Sequence, residues 1–153
     1  MDFIRTIDKN RICILKSHEK DEALLELIEL ISKSEISCNK QLLKESIFYR
    51  EQLMSTGIGL GIGIPHVRIE GVKQPFITIG ISPNGLEGYE SIDNQPVKII
   101  IMIVAGKNQH KEYIGLLAQI VKILKGEGMI EKLTHASHSE EIYKILMMEA
   151  QHV

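Results

Sequence analysis

Residues Val97 to Val104 read VKIIIMIV, and every residue of that run except Lys98 and Met102 is β-branched. A short, almost charge-free, β-branched run suits a strand buried on both faces, near the centre of a sheet. It stops at Ala105-Gly106. Downstream, Asn108 is the expected cap of a helix that carries His110 in its first turn. Ile114, Leu117, Val121 and Leu124 form its apolar stripe and Gly126 closes it. A short helix from Met129 to Leu133 and a last one from Ser139 to about Met148 follow. Upstream, Gly88 to Pro96 is polar and irregular, and Phe76 to Ile81 alternates as a strand does. Pro83-Asn84-Gly85 reads as a turn, and a hairpin there requires an antiparallel pair.

Nearer the start, Ile12 to Leu15 suits a strand. Lys20 to about Lys33 is helical, with Leu24, Leu27, Ile28 and Ile31 on one side and Asp21 and Glu22 at the positive end of the dipole. Ser34-Glu35 interrupts it. A second helix begins near Ser37 or Asn39 and has its expected stop at Gly57. Its stripe is Leu42, Tyr49 and Leu53, with Leu43 and Ile47 beside it. Strands interleaved with helices predict an α/β fold, a single three-layer domain over residues 1–153, with a mixed β-sheet covered by helices on both faces.

Between the second helix and the Phe76 strand lies STGIGLGIGIPHVR, Ser55 to Arg68. Gly57, Gly59, Gly61 and Gly63 alternate with Ile58, Leu60, Ile62 and Ile64, which has the period of one strand with a bare glycine face. Glycine packs nothing, so a bare face makes sense where another part of the molecule approaches the backbone closely. Pro65 ends ladder donation and His66 follows, so His66 is a candidate reactive histidine held at the end of the glycine strand. Parity puts it on the isoleucine side. Either the chain bends at Pro65, or the isoleucine face itself lines a cleft. The spacing is neither G-x-G-x-x-G nor a P-loop, so a nucleotide site is not expected. Arg50 and Glu51 fall in the last turns of the preceding helix, where Arg50 serves either as a dipole-favoured cation or as an anion clamp beside His66.

A net charge of −2, 5% aromatic residues and no Trp leave no footprint for nucleic acid. No apolar run reaches transmembrane length, so no stable membrane insertion is expected. The opening MDFIRTIDKN lacks the apolar core of a signal peptide, which makes the cytoplasm the expected compartment, with Cys13 and Cys38 reduced and buried. His135 and His138 form an H-x-x-H pair with His152 farther on, but a metal needs further ligands, and a solvated loop is the simpler reading.

The stretch YREQLMSTGIGLGIGIPHVR, Tyr49 to Arg68, resembles the signature of enzyme IIA of the fructose–mannitol class. That class belongs to the bacterial phosphoenolpyruvate-dependent sugar phosphotransferase system and includes nitrogen-regulatory relatives. The matching elements are Arg50-Glu51, Ser55-Thr56-Gly57-Ile58-Gly59 and Pro65-His66, with His110 before Leu116-Leu117-Ala118 resembling the family's second histidine. The chain departs from the family at Gly63, where Ala is frequent, and at Lys111, where Leu is common. The resemblance implies that His66 takes a phosphoryl group from the carrier protein HPr and passes it to an enzyme IIB during sugar uptake, with His110 and Arg50 flanking the ring. A nitrogen-type regulatory protein is the alternative it carries. Such a relay between histidines uses no metal and no cofactor.

Overall fold

The computed structural model describes residues 3–152. In chain order its elements are α1 (Phe3–Thr6), a 3₁₀ turn (Lys9–Arg11), β1 (Ile12–Ile14), α2 (Lys20–Ser32), α3 (Lys40–Leu53), β2 (Gly57–Gly59), β3 (Ile62–Gly63), β4 (His66–Arg68), β5 (Phe76–Leu86), β6 (Val97–Ala105), α4 (His110–Leu124), α5 (Met129–Thr134) and α6 (Ser139–Ala150). The apolar run is indeed the interior strand β6, and only Lys98 within it is not fully buried. The six strands run in the order β1-β5-β6-β3-β2, with β4 also on β6. The sheet is mixed, because β5 is antiparallel to β6 while β1 is parallel to β5 and both β3 and β4 are parallel to β6.

Alternation along β6 divides the core. Ile99, Ile101 and Ile103 pack under α4, α5 and α6 with Leu116, Ile120, Leu133 and Ile142. Ile100, Met102 and Val104 pack under α2 and α3 with Leu24, Ile28, Leu43 and Ile47. Each such aliphatic side chain contributes about 1.5–3 kcal/mol when fully buried. Helices therefore cover both faces of the sheet, as expected. Among the described residues no helix is long and apolar enough to cross a membrane.

Several elements differ from the sequence expectation. The glycine stretch is not one strand. Gly59, Leu60 and Gly61 all have positive φ, at 97°, 60° and 81°, so the chain reverses there and β2 folds back antiparallel on β3. Glycine makes that left-handed turn cheap. The close approach to the glycines is real. A Cβ on Gly57 would stand 2.1 Å from the Glu90 carbonyl oxygen, and one on Gly63 would stand 2.6 Å from the Tyr89 ring.

The turn at Pro83-Asn84-Gly85 is a bulge inside β5 rather than a hairpin. Ile81 pairs with Ile99 and Leu86 with Val97, so residues 82–85 oppose Lys98 alone. The antiparallel pair exists, but residues 87–96 make its connection. Helix α3 starts after Asn39, whose Oδ1 accepts from the Leu42 N–H at 3.0 Å, but it ends at Leu53 with Met54 already extended, well before Gly57.

Asn108 is not the cap of α4. Gln109 precedes the helix, and its side chain instead binds the Gly106 N–H at 2.7 Å and the Lys73 carbonyl at 2.7 Å. The buried stripe of α4 is Leu116, Ile120, Ile123 and Leu124, with Leu117 and Val121 at its margin and Ile114 exposed. That helix carries more apolar residues than one face can bury, and contact with the sheet selects the face. Cys13 and Cys38 are free thiols, half-buried rather than fully buried. His135 and His138 bind backbone of their own helices, His135 Nδ1 to the Glu131 carbonyl at 2.8 Å and His138 Nδ1 from the Glu141 N–H at 3.3 Å.

Candidate functional site

Strands β3 and β4 are one parallel strand interrupted at Pro65. Ile62 pairs with Ile99 and His66 with Ile103, so the register on β6 does not slip between them. His66 therefore keeps the parity of Ile62 and Ile64 and lies on the α4 side of the sheet. Of the two arrangements open from sequence, the chain keeps its face rather than bending at Pro65, but Ile62 and Ile64 are themselves buried in the core, and His66 and Arg68 are the residues of that face that reach the cleft. Strand β2 pairs with β3 only, so among the described residues β4 has no strand on its outer edge. The C-terminal turns of α3 and the N-terminus of α4 converge over that edge.

Between them lies an open cleft of about 510 Å³ lined by Ser46, Tyr49, Arg50, Leu53, His66, Val67, Arg68, Lys107, His110 and Tyr113. Arg50, His66 and His110, the three candidates from sequence, share this one cleft. His66 is half-buried, and its Nδ1 lies 2.6 Å from the Ile64 carbonyl oxygen. A carbonyl can only accept, so Nδ1 holds the proton and the neutral ring keeps its lone pair on Nε2. Burial pulls the ring's proton affinity below the ordinary value, the Ile64 bond opposes that, Arg50 lowers it further and Glu51 raises it. The neutral, nucleophilic form is thus favoured near pH 7.

Arg50 does two things. Its Nη1 donates to the Met54 carbonyl at 2.8 Å, closing the end of α3, and its charge faces the cleft. The bond to Met54 is what a helix-terminal cation makes, and the place in the cleft is compatible with the anion clamp expected from sequence. His110 is the first residue of α4 and exposed, at a helix end with no side-chain cap. Such an end presents free N–H groups and the positive pole of the dipole.

A buried network supports the ring from behind. Glu51 pairs with Lys20 at 3.0 Å and accepts from the Thr56 N–H at 3.3 Å. Thr56 Oγ1 meets the Tyr89 hydroxyl at 2.6 Å, and the Thr56 carbonyl accepts from the Ile64 N–H at 3.1 Å. Ile64 in turn holds His66. Burial raises the Tyr89 hydroxyl far above its ordinary pKa, so it stays a neutral partner.

Sequence reasoning passed over Arg68, Lys107 and Tyr113. Arg68 lies two residues beyond His66 on one strand and so shares its face. Its Nη1 donates to the Lys107 carbonyl at 3.3 Å. Tyr113 lies three residues beyond His110 on one helix and so shares that face. Those spacings were the available signals. Together the side chains make a half-buried nucleophilic imidazole in a cleft with Arg50, Arg68 and Lys107, an arrangement suited to a transferable anion.

Comparison with known proteins gives the family. The family model described as phosphoenolpyruvate-dependent sugar phosphotransferase system, EIIA 2 matches residues 5–148. The chain is 33% identical over 132 residues to the PTS system fructose-specific EIIABC component of Bacillus subtilis, covering 86% of this chain but 21% of that protein. It is 30% identical over 122 residues to the nitrogen regulatory protein of Escherichia coli, covering 80% of this chain and 75% of that one. The crystal structure of nitrogen regulatory protein IIA-Ntr from Neisseria meningitidis superposes with a TM-score of 0.83 at 27% identity, over 93% of this chain and 97% of that one. The chain therefore belongs to the EIIA 2 family of the phosphoenolpyruvate-dependent sugar phosphotransferase system.

Proposed function

We propose that this protein is a phosphohistidine carrier, which accepts a phosphoryl group from phospho-HPr on His66 Nε2 and passes it to an enzyme IIB. The observation that carries the reading is the 2.6 Å contact of Nδ1 with the Ile64 carbonyl, which leaves Nε2 as the nucleophile. The same bond serves both directions. The Nε2–P bond forms as the donor's N–P bond breaks, and the donor ring leaves with the electron pair. Nδ1 keeps its proton throughout, so His66 departs as a neutral imidazole when the group moves on. No proton has to be relayed.

The transition state is loose, with charge spread over three equatorial oxygens, so the protein mainly supplies position and positive charge. Arg50 offers a bidentate guanidinium, and His110 with the N-terminus of α4 offers further donors. Delivery to an enzyme IIB is supported by the relative whose name joins A, B and C components. The cytoplasm is the compartment in which such carriers would meet. The regulatory alternative rests on the similarity to nitrogen regulatory proteins. In that branch the phosphorylation state of His66 decides which protein is held.

Incubation with phosphoenolpyruvate, enzyme I and HPr, followed by intact mass at neutral pH, tests the reading. One phosphoryl group should appear, acid-labile and alkali-stable, and His66→Ala should remain unlabelled. A labelled His66→Ala protein, or a phosphopeptide carrying the group on His110, would overturn it. Onward transfer to a purified IIB separates the transport reading from the regulatory one.

A further inference from the structure

Tyr113 is the cleft residue in direct ring contact with His66. The two ring centroids are 5.5 Å apart and the planes are tilted by 52°. With Nδ1 tied to Ile64, this contact limits rotation of the imidazole. The hydroxyl is of a different kind from that of Tyr89, which is committed to Thr56. Among the described residues no hydrogen-bond partner reaches the Tyr113 oxygen, although the side chain is half-buried. Its position, one helical turn beyond His110, brings it into the cleft beside Arg50 and Arg68.

We propose that the Tyr113 hydroxyl is a further catalytic group, donating a hydrogen bond to the phosphoryl group on His66 Nε2, while its ring steadies the imidazole that carries it. The inference rests on His66 being the acceptor. Burial holds the hydroxyl's pKa up at about 12, against the pull of Arg50 and Arg68, so at neutral pH it is a donor and adds no negative charge to the site. In the step itself the carrier's N–P bond breaks and the Nε2–P bond forms. The electron pair leaves with the carrier's ring, and the Tyr113 proton stays on its oxygen throughout.

The test compares the full chain with Tyr113→Phe and Tyr113→Leu, labelled by phospho-HPr and followed by rapid quench and by ³¹P NMR. Removing one hydrogen bond to a charged group should slow transfer by about 10–100-fold in Tyr113→Phe. It should also shift the phosphoramidate ³¹P resonance, which a merely structural role would leave alone. Tyr113→Leu should be slower still and should free the His66 ring in ¹⁵N relaxation. If Tyr113→Phe transfers at the parental rate with an unmoved ³¹P signal, the hydroxyl has no such role, even if Tyr113→Leu is slow. If the parent is not labelled on His66 at all, the underlying reading fails and this inference with it.

Discussion

Substituting Gly63→Ala adds one methyl group where nothing can receive it. Built on the present backbone, the new Cβ would stand 2.6 Å from Cζ and the hydroxyl oxygen of Tyr89, and 3.1 Å from Cε1. The ring is 5% exposed, with its hydroxyl held by Thr56 at 2.6 Å and the Lys20 ammonium 4.5 Å above its centroid. It cannot swing clear without giving up both contacts. Overpacking of this kind costs about 1–3 kcal/mol. The strained Thr56–Tyr89 bond adds about 1 kcal/mol, while replacing glycine in a strand returns roughly 0.5–1 kcal/mol.

The net expectation is a loss of about 1–3 kcal/mol, or roughly 2–10 °C in Tm for a domain of this size. Urea and thermal unfolding measure it. In a double-mutant cycle with Tyr89→Leu, which removes the obstructing atoms, the two changes should couple favourably by at least about 1 kcal/mol. Because Gly63 precedes Ile64, the His66 ring resonances should shift in Gly63→Ala as well. A Gly63→Ala protein as stable as its parent, or strict additivity with Tyr89→Leu, would refute the argument.

Four further outcomes are expected. His110→Ala should still be phosphorylated by phospho-HPr but pass the group on poorly, and Arg50→Ala should slow transfer in both directions by about 10²–10³, both read by quench-flow labelling. By NMR titration the His66 ring should protonate below its ordinary value of 6.5. The unfolded chain then takes up the proton first, so the stability His66 contributes is present above that value and is lost as pH falls through the lower folded pKa. A midpoint at or above 6.5 would contradict the desolvation argument. Burial pushes the Cys13 thiol up to about 12, with Glu26 adding to the shift, and it raises Cys38 as well. Cys13 should thus be about 10⁻⁴ thiolate at pH 8, and its alkylation by iodoacetamide should be far slower than that of an unfolded-chain control.

The run from Val97 to Val104 was enough to name an interior strand, because no other element buries six β-branched side chains in so short a span. The periodic apolar residues of α2 and the cap at Asn39 were legible for the same local reasons. Arg50, His66 and His110 were legible as candidates because their motifs are local in sequence. What sequence could not supply is anything that depends on which segments meet. The alternation from Gly57 to Gly63 has the period of one strand, yet three positive φ angles fold it into a hairpin. Both conformations suit alternating glycines, and the Tyr89 ring against Gly63 with the Glu90 backbone against Gly57 favours one of them.

The face that α4 buries was likewise undetermined, since Ile114 and Leu116 both fit a 3.6-residue period and only contact with the sheet distinguishes them. The site is the clearest case. Residues 50, 66 and 110 are far apart in the chain, and β3, β4 and β6 bring them to one edge of the sheet, with α3 and α4 closing over it. The proton on Nδ1 is fixed by the carbonyl two residues earlier, and Ile64 is held in turn through its N–H by the Thr56 carbonyl, with Tyr89 and Glu51 holding Thr56. The sequence determines which groups are present. Tertiary contact decides which nitrogen of His66 keeps its lone pair, because tautomer and field depend on neighbours that no local pattern records.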